Sequence, residues 1–371
     1  MPSSLSTSAE SLLKAYQSPE AALAFDASRW NDVLRLAWRW RLLGRLGLRL
    51  EDSGEIDRVP FKAKARLESG IAQAKVNERG IRWEANRVAR ALRGSDVPVI
   101  LLKGGAYVMA GLPAGRGRLM SDLDIMVPRD RLPEVEKALL AHGWTMLEPD
   151  AYDDYYYRNW THELPPMRHQ DRQSELDVHH TILPPLGKLK PDASLLFKAA
   201  RPLEGTRFLV LAPEDMVLHS AAHLFQDGEM HAGVRDLTDL DLLFRHFGTT
   251  EPGFWDRLIP RAKETHLTRP LYYAIRYTSK ILETPIPESL RTAIEAFGPN
   301  PLIRGLMDQI TDRALFPPAV DTHRWDIELA NLMLLVRGHW LKMPLPILVQ
   351  HLSYKSVRPI LRWWKGEKDA D

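Results

Sequence analysis

The chain has 371 residues, 44% hydrophobic and 26% charged, with no cysteine and a formal net charge of +2. That length exceeds the usual single domain, so a site-bearing unit packed with further helical units is expected. The missing cysteine excludes disulfides, thiolate zinc sites and thiol nucleophiles, and the small net charge argues against a long nucleic acid as partner.

The first residues, MPSSLSTSAESLLKAYQ, lack the basic start and apolar run of a secretory signal, so a cytoplasmic location is expected. Residues 8–50 read as helices, with Arg35, Arg39, Arg41, Arg45 and Arg49 interleaved among apolar positions. The helical pattern continues over 60–93 and closes at Gly94-Ser95-Asp96. Residues 97–102 are a branched, apolar run of the kind a buried strand shows, ended by Lys103-Gly104-Gly105. A short helix over 106–111, a flexible basic loop over 113–118 and a second strand over 121–127 come next. Asp130 is placed to cap a helix over 131–142, and Gly143 ends it before a strand at 144–147. The aromatic stretch 152–169 reads as a strand pair and 174–181 as a further strand. After Pro184-Pro185 the chain turns helical, most clearly over 213–226, 234–247, 270–282 and 325–336, with no internal repeat. Residues 331–352 are interrupted by Arg337, Lys342, Pro344 and Pro346 and so lack the roughly 20 apolar residues of a membrane span. A peripheral membrane contact stays open.

The chemistry concentrates in two places. Strand alternation sends Asp122 and Asp124 to one face while Leu123 and Ile125 point to the other. Two carboxylates side by side repel unless a cation lies between them, and Asp is depleted in strands, so the pair points to a metal. Gly104-Gly105 stands at a strand-to-helix junction, where bare backbone N–H groups can approach a phosphate. Together these supply the two parts of phosphoryl-type chemistry, a phosphate cradle and a metal seat.

These residues carry a resemblance. Leu101-Leu102-Lys103-Gly104-Gly105 followed by Arg118-Leu119-Met120-Ser121-Asp122-Leu123-Asp124-Ile125-Met126-Val127 is similar to the signature of the DNA-polymerase-beta-like nucleotidyltransferase superfamily. Within it, the chain resembles the bacterial group labelled nucleotidyltransferase family protein. The likeness continues through Glu175-Leu176-Asp177-Val178-His179, through Val234-Arg235-Asp236-Leu237-Thr238-Asp239-Leu240 and through Trp340-Leu341-Lys342-Met343-Pro344-Leu345-Pro346.

The resemblance implies a mixed α/β catalytic core with a mixed sheet at 95–205, framed by helical regions at 1–94 and 206–371. It assigns Asp122, Asp124 and Asp177 to Mg2+ or Mn2+, with Asp177 also helping to deprotonate an attacking hydroxyl. Lys103, Gly104, Gly105, Arg118, Ser121 and Arg235 would meet a nucleoside triphosphate, ATP first among them. The chain has Gly-Gly where the superfamily often has Gly-Ser, and Ser121 is the hydroxyl that could stand in. The acceptor implied is a hydroxyl on a peptide, protein or saccharide. Two other classes stay open: a nucleotide- or peptide-binding module without turnover, and a peripheral membrane or scaffold protein.

Other residues read more plainly. His219 and His223 are four apart on a helix without the glutamate of a metalloprotease, and packing is expected of them. His179 falls on the strand face of Asp177, where it can orient a base or meet a phosphate. Arg235 and Asp239, also four apart, suggest an intrahelical ion pair. Tyr152, Tyr155, Tyr156, Tyr157 and Trp160 read as packing residues, and 340–364 as a closing helix of the body.

Overall fold

The computed structural model describes residues 5–147, 151–226, 228, 230, 232–318, 324–350 and 353–354. Helices Thr7–Gln17, Ala27–Arg39 and Leu43–Asp52 open the chain. The first two are capped by Ser6 and Asp26, whose side chains accept from the amides of Ala9 and Arg29 and satisfy donors that a helix start leaves unpaired. The long helix Phe61–Ala91 packs against Leu43–Asp52 through small residues. A Cβ on Gly47 would come within 2.8 Å of Ile71, and one on Gly70 within 2.7 Å of Leu43, so bare backbone sets how closely the two helices approach.

Seven short strands form one sheet: β1 (Val99–Leu101), β2 (Asp122–Met126), β3 (Trp144–Met146), β4 (Met167–His169), β5 (Glu175–His179), β6 (Arg201–Pro202) and β7 (Phe208–Val210). Their order is β3-β4-β5-β2-β1-β7-β6. β1 runs parallel to β7 and β2 parallel to β5, while the remaining neighbours are antiparallel. The mixed α/β class expected from the sequence is the one observed. The centre of the sheet holds the branched residues Val99, Ile100, Ile125 and Val178, all buried. Helix Phe61–Ala91 lies against β2 and against helices Lys103–Met109 and Leu132–Leu140. The chain ends in a helical assembly whose most buried members are Pro213–Gln226 and Gly233–Thr250. One apolar core runs continuously from Leu12 through Ile100 to Phe244 and Tyr277. No described helix is long and apolar enough to cross a membrane.

Three local expectations are corrected. The segment read as a strand pair supplies one strand, β4, preceded by the helix Ala151–Trp160. Tyr152, Tyr156 and Trp160 recur at helical spacing and meet edge to face, and Arg158 pairs with Asp154 one turn earlier at 2.7 Å. Helical side-chain pairing therefore outweighs the strand preference of aromatic residues. Asp130 caps no helix: it lies in the 3-10 turn Arg129–Arg131, and the helix beyond starts with Pro133 in its first turn and no side-chain cap. The basic loop is pinned rather than flexible. Arg116 forks onto Asp52 at 3.0 and 3.1 Å, and Gly117, at φ +69°, lets the loop touch the backbone of Arg45. The stretch 340–364 falls partly outside the described residues; within them, Trp325–Lys342 buries Ala330, Leu334 and Gly338 against the body.

Candidate active site

Parallel pairing of β2 with β5 sets the site. Asp124 lies directly opposite Asp177, with Asp122 opposite Glu175 and Met126 opposite His179. Side chains in register on adjacent strands share a face, so Asp122, Asp124, Asp177 and His179 all stand on one side of the sheet. Leu123, Ile125, Leu176 and Val178 fill the other side. Asp124, Asp177 and His179 each offer a ligand atom within 4.8 Å of the others.

The chain leaves β1 directly into this face. The Leu102 amide donates to the Asp124 carbonyl at 3.0 Å, and Lys103, held at φ +44°, sends its Nζ to Asp124 Oδ1 at 2.8 Å. A lysine in left-handed backbone is strained, and such strain gathers at functional sites. Gly104 follows with no room for a side chain, since a Cβ there would meet Met120 Sδ at 2.5 Å and the Arg118 guanidinium. Gly105 is packed against Leu123 on the sheet side, and a Cβ there would come within 2.7 Å of it. Gly104 lines the cavity above the carboxylates, and Gly105 supports it from behind.

That cavity has a volume of about 600 Å³. Its floor is acidic, built from Asp122, Asp124, Asp177 and Glu163, and its walls bring in Arg41, Lys103, Arg118, Arg235 and Lys342. Arg118 Nε donates to Asp239 Oδ2 at 2.8 Å, and its other side approaches Asp236 at 3.6 Å. Arg45 joins the same Asp239, donating also to Thr238 and to the Ala114 carbonyl. Arg235 pairs with its neighbour Asp236 at 2.7 Å and reaches the Leu119 carbonyl, rather than forming the intrahelical pair with Asp239 that their spacing suggested. Asp239 is drawn instead to two guanidiniums from distant parts of the chain. Three guanidiniums thus face two carboxylates, leaving this buried wall electropositive. Ser121 lies at the rim, its hydroxyl donating to Asp122 at 3.2 Å.

Electrostatics divide the acidic floor. Burial and then the charge of Asp124 push the Asp177 carboxyl up to about 7. Burial also opposes the charge of Asp124, but Lys103 and the hydrogen bond from His179 outweigh it and hold that carboxyl well below the ordinary range. For His179, burial disfavours charge, while Asp124 and Glu163 raise its pKa on balance. An ionised carboxylate beside a partly protonated one is a donor pair that a divalent cation fits: both offer hard oxygens, and Asp177 has charge to gain by releasing its proton.

Residues 26–283 match the family model described as uncharacterised nucleotidyltransferase. The chain belongs to that family. It is therefore an enzyme of the nucleotidyltransferase class, on the mixed α/β fold described above. Among solved structures it is similar to MenT4, a nucleotidyltransferase toxin from Mycobacterium tuberculosis H37Rv. The identity is 18% over 71% of this chain and 98% of that chain, and the TM-score is 0.30. No curated protein matches it.

The cavity also contains residues that sequence reading did not single out. His162 and Glu163 line it because the segment after helix Ala151–Trp160 runs antiparallel to β5: Leu164 donates to the Val178 carbonyl at 2.9 Å and His180 to the His162 carbonyl at 2.8 Å. Nothing in their local pattern marks them, since a single bridge to β5 fixes their place. His223 also lines the cavity, while His219 is buried behind it, and burial followed by the charge of Lys103 keeps its imidazole neutral. Arg41, at φ +56° in the turn between two helices, and His339 and Lys342 of the last long helix complete the rim.

Proposed function

We propose that the chain transfers a nucleoside monophosphate from a nucleoside triphosphate, ATP first among the candidates, to an acceptor hydroxyl, with Mg2+ or Mn2+ held by Asp122, Asp124 and Asp177. The observation that carries this reading is the placement of Asp124 and Asp177 abreast on an acidic floor, under walls bearing Lys103, Arg118 and Arg235. Such a cavity can take the metal-bearing end of a triphosphate at its floor and the phosphate oxygens along its walls.

When bound, the metal would neutralise charge on the reacting phosphate oxygens. The protein's own residues do the rest. The ammonium of Lys103 and the guanidiniums of Arg118 and Arg235 meet the phosphates, and the Gly104 backbone lets them approach. Asp177, abreast of Asp124 on the same face of the sheet, is suited by position to take the proton of the attacking hydroxyl. The hydroxyl oxygen bonds to the α-phosphorus, the bond from that phosphorus to the bridging oxygen breaks, and pyrophosphate leaves with the electron pair. A peptide, protein or saccharide hydroxyl is the proposed acceptor class, and the interior of the cell the proposed location.

The test is a screen of the four ribonucleoside triphosphates with magnesium or manganese against hydroxyl-bearing acceptors, read by pyrophosphate release and by the mass of the acceptor. Turnover that disappears in Asp122→Ala, with the fold intact by circular dichroism, supports the proposal. Undiminished turnover in that variant would sink it. Nucleotide binding without pyrophosphate release would reduce the site to a binding module.

A further inference from the structure

Beside the three aspartates stands a second group of donors with different chemistry. His162, Glu163 and His179 each place one ligand atom within 4.8 Å of the others. For a metal with bonds of about 2.1 Å, tetrahedral donors lie roughly 3.4 Å apart, so small side-chain adjustments would close such a set around an ion. Backbone pairing already fixes its two halves, because Glu163 bridges to His179 in antiparallel fashion across β5. The His162 and His179 rings lie 5.1 Å apart at a 41° tilt.

His179 supplies the observation that points to a ligand. It is 1% exposed, its Nε2 lies 3.0 Å from Asp124 Oδ1, and its Nδ1 makes no hydrogen bond, with Glu163 Oε2 standing 3.4 Å away. Nε2 is the ring atom turned to the Asp124 carboxylate, which leaves Nδ1 as the one turned into the cluster, toward Glu163. A buried ring nitrogen without a hydrogen-bond partner, aimed at a carboxylate beside a second imidazole, is placed as a ligand atom for a cation. A metal-bound histidine that donates its other ring N–H to a carboxylate is the usual way a protein fixes such a ligand, and here Asp124 is that carboxylate.

We propose that His162, Glu163 and His179 form a second cation site, distinct from the Asp122–Asp124–Asp177 seat, that takes a divalent ion of the zinc, cobalt or manganese class. Two imidazoles and one carboxylate favour such ions over magnesium, which prefers oxygen alone. The ion clasps the segment after helix Ala151–Trp160 to the end of β5. Through the Nε2–H of His179 it fixes the orientation of Asp124. His162, Glu163 and His179 act here as metal ligands and positioning residues, not as groups that touch the nucleotide.

The experiment titrates zinc alone into the full chain by calorimetry, with no nucleotide present. Wild type and Asp122→Asn are expected to bind with similar affinity, and Glu163→Gln and His162→Asn at least about tenfold more weakly. Melting in the presence of a chelator shows whether either variant has simply lost its fold. X-ray absorption of wild type loaded with one equivalent of zinc gives a reading that needs no variant, and two coordinated imidazoles are expected. Failure to bind zinc, affinity unchanged by both substitutions, binding lost with Asp122→Asn, or a zinc spectrum without two imidazoles would each overturn the proposal. With nucleotide absent, a failure of the transfer reaction and a failure of this site are read separately.

Discussion

Arg118 Nε donates to Asp239 Oδ2 at 2.8 Å across 121 positions of sequence, joining the loop before β2 to the helix Gly233–Thr250. Arg45 meets the same carboxylate from the N-terminal helices. One buried aspartate therefore ties the loop before β2 to helices that precede and follow it in the chain. Removing one partner of a buried ion pair leaves the others charged and unmatched, which typically costs about 3–5 kcal/mol. Asp239→Asn should lose stability on that scale in urea unfolding and raise the KM for nucleotide as Arg118 loses its anchor. A variant within about 0.5 kcal/mol of wild type would show that the guanidiniums find other partners.

Gly104→Ala tests the close approach at the turn. Its Cβ would meet Met120 Cγ at 2.7 Å as well as the guanidinium of Arg118, and Arg118 is tethered by Asp239. Met120 can yield where Arg118 cannot easily do so. An overpacking cost of about 1–3 kcal/mol is expected, with a fall in nucleotide affinity larger than the fall in thermal stability implies. Calorimetric binding of a non-hydrolysable triphosphate beside a melting curve separates the two effects.

The strand pair that carries the aspartates was legible in the sequence, because alternation alone puts Asp122 and Asp124 on one face and the resemblance named Asp177 across from them. The rest of the site was less legible, for physical reasons that differ from residue to residue. Asp239 looked like an intrahelical partner of Arg235, but two guanidiniums from other parts of the chain attract it more strongly than one turn of helix can. Glu163 and His162 sat inside a stretch whose aromatic composition imitates a strand. Only the packing of helix Ala151–Trp160 sets where the chain emerges beside β5. Arg41 reaches the cavity from a turn in the N-terminal helices, a position no local pattern reveals.

Lys103 combines a left-handed backbone with an ammonium placed 2.8 Å from Asp124. Lys103→Ala removes the charge and keeps the strained backbone. Loss of an electrostatic contact to reacting phosphates commonly costs about 10²–10³ in rate, and that loss is expected here in kcat/KM for the triphosphate. Thermal stability should fall as well, because buried Asp124 loses the ammonium that offsets its desolvation, and melting curves beside the kinetics separate the two effects. Turnover within about threefold of wild type would remove Lys103 from the nucleotide site.

The last prediction concerns pH and metal together. Without metal, burial and Asp124 raise the Asp177 carboxyl to about 7, above the roughly 3.9 of an unfolded aspartate. A group with a raised folded-state pKa contributes stability that is fully present below its unfolded pKa and is lost as pH rises through the folded one. Asp177 should therefore cost the metal-free protein progressively more stability between about pH 4 and pH 7. Asp124 is shifted downward and changes stability only in more acidic solution, so it does not interfere in this window. His179 is shifted upward and adds a loss of the same sign, which Asp177→Asn leaves in place. In a chelator at pH 8, Asp177→Asn should melt above wild type, and at pH 4 the two should converge. Manganese should reverse the order at pH 8 by stabilising only the chain that keeps the carboxylate. Near pH 7, its binding to wild type should release a fraction of a proton, detected by calorimetry in buffers of different ionisation heat. If wild type and Asp177→Asn melt together at pH 8 in chelator, burial and the charge of Asp124 do not hold the metal-free Asp177 carboxyl above its ordinary range.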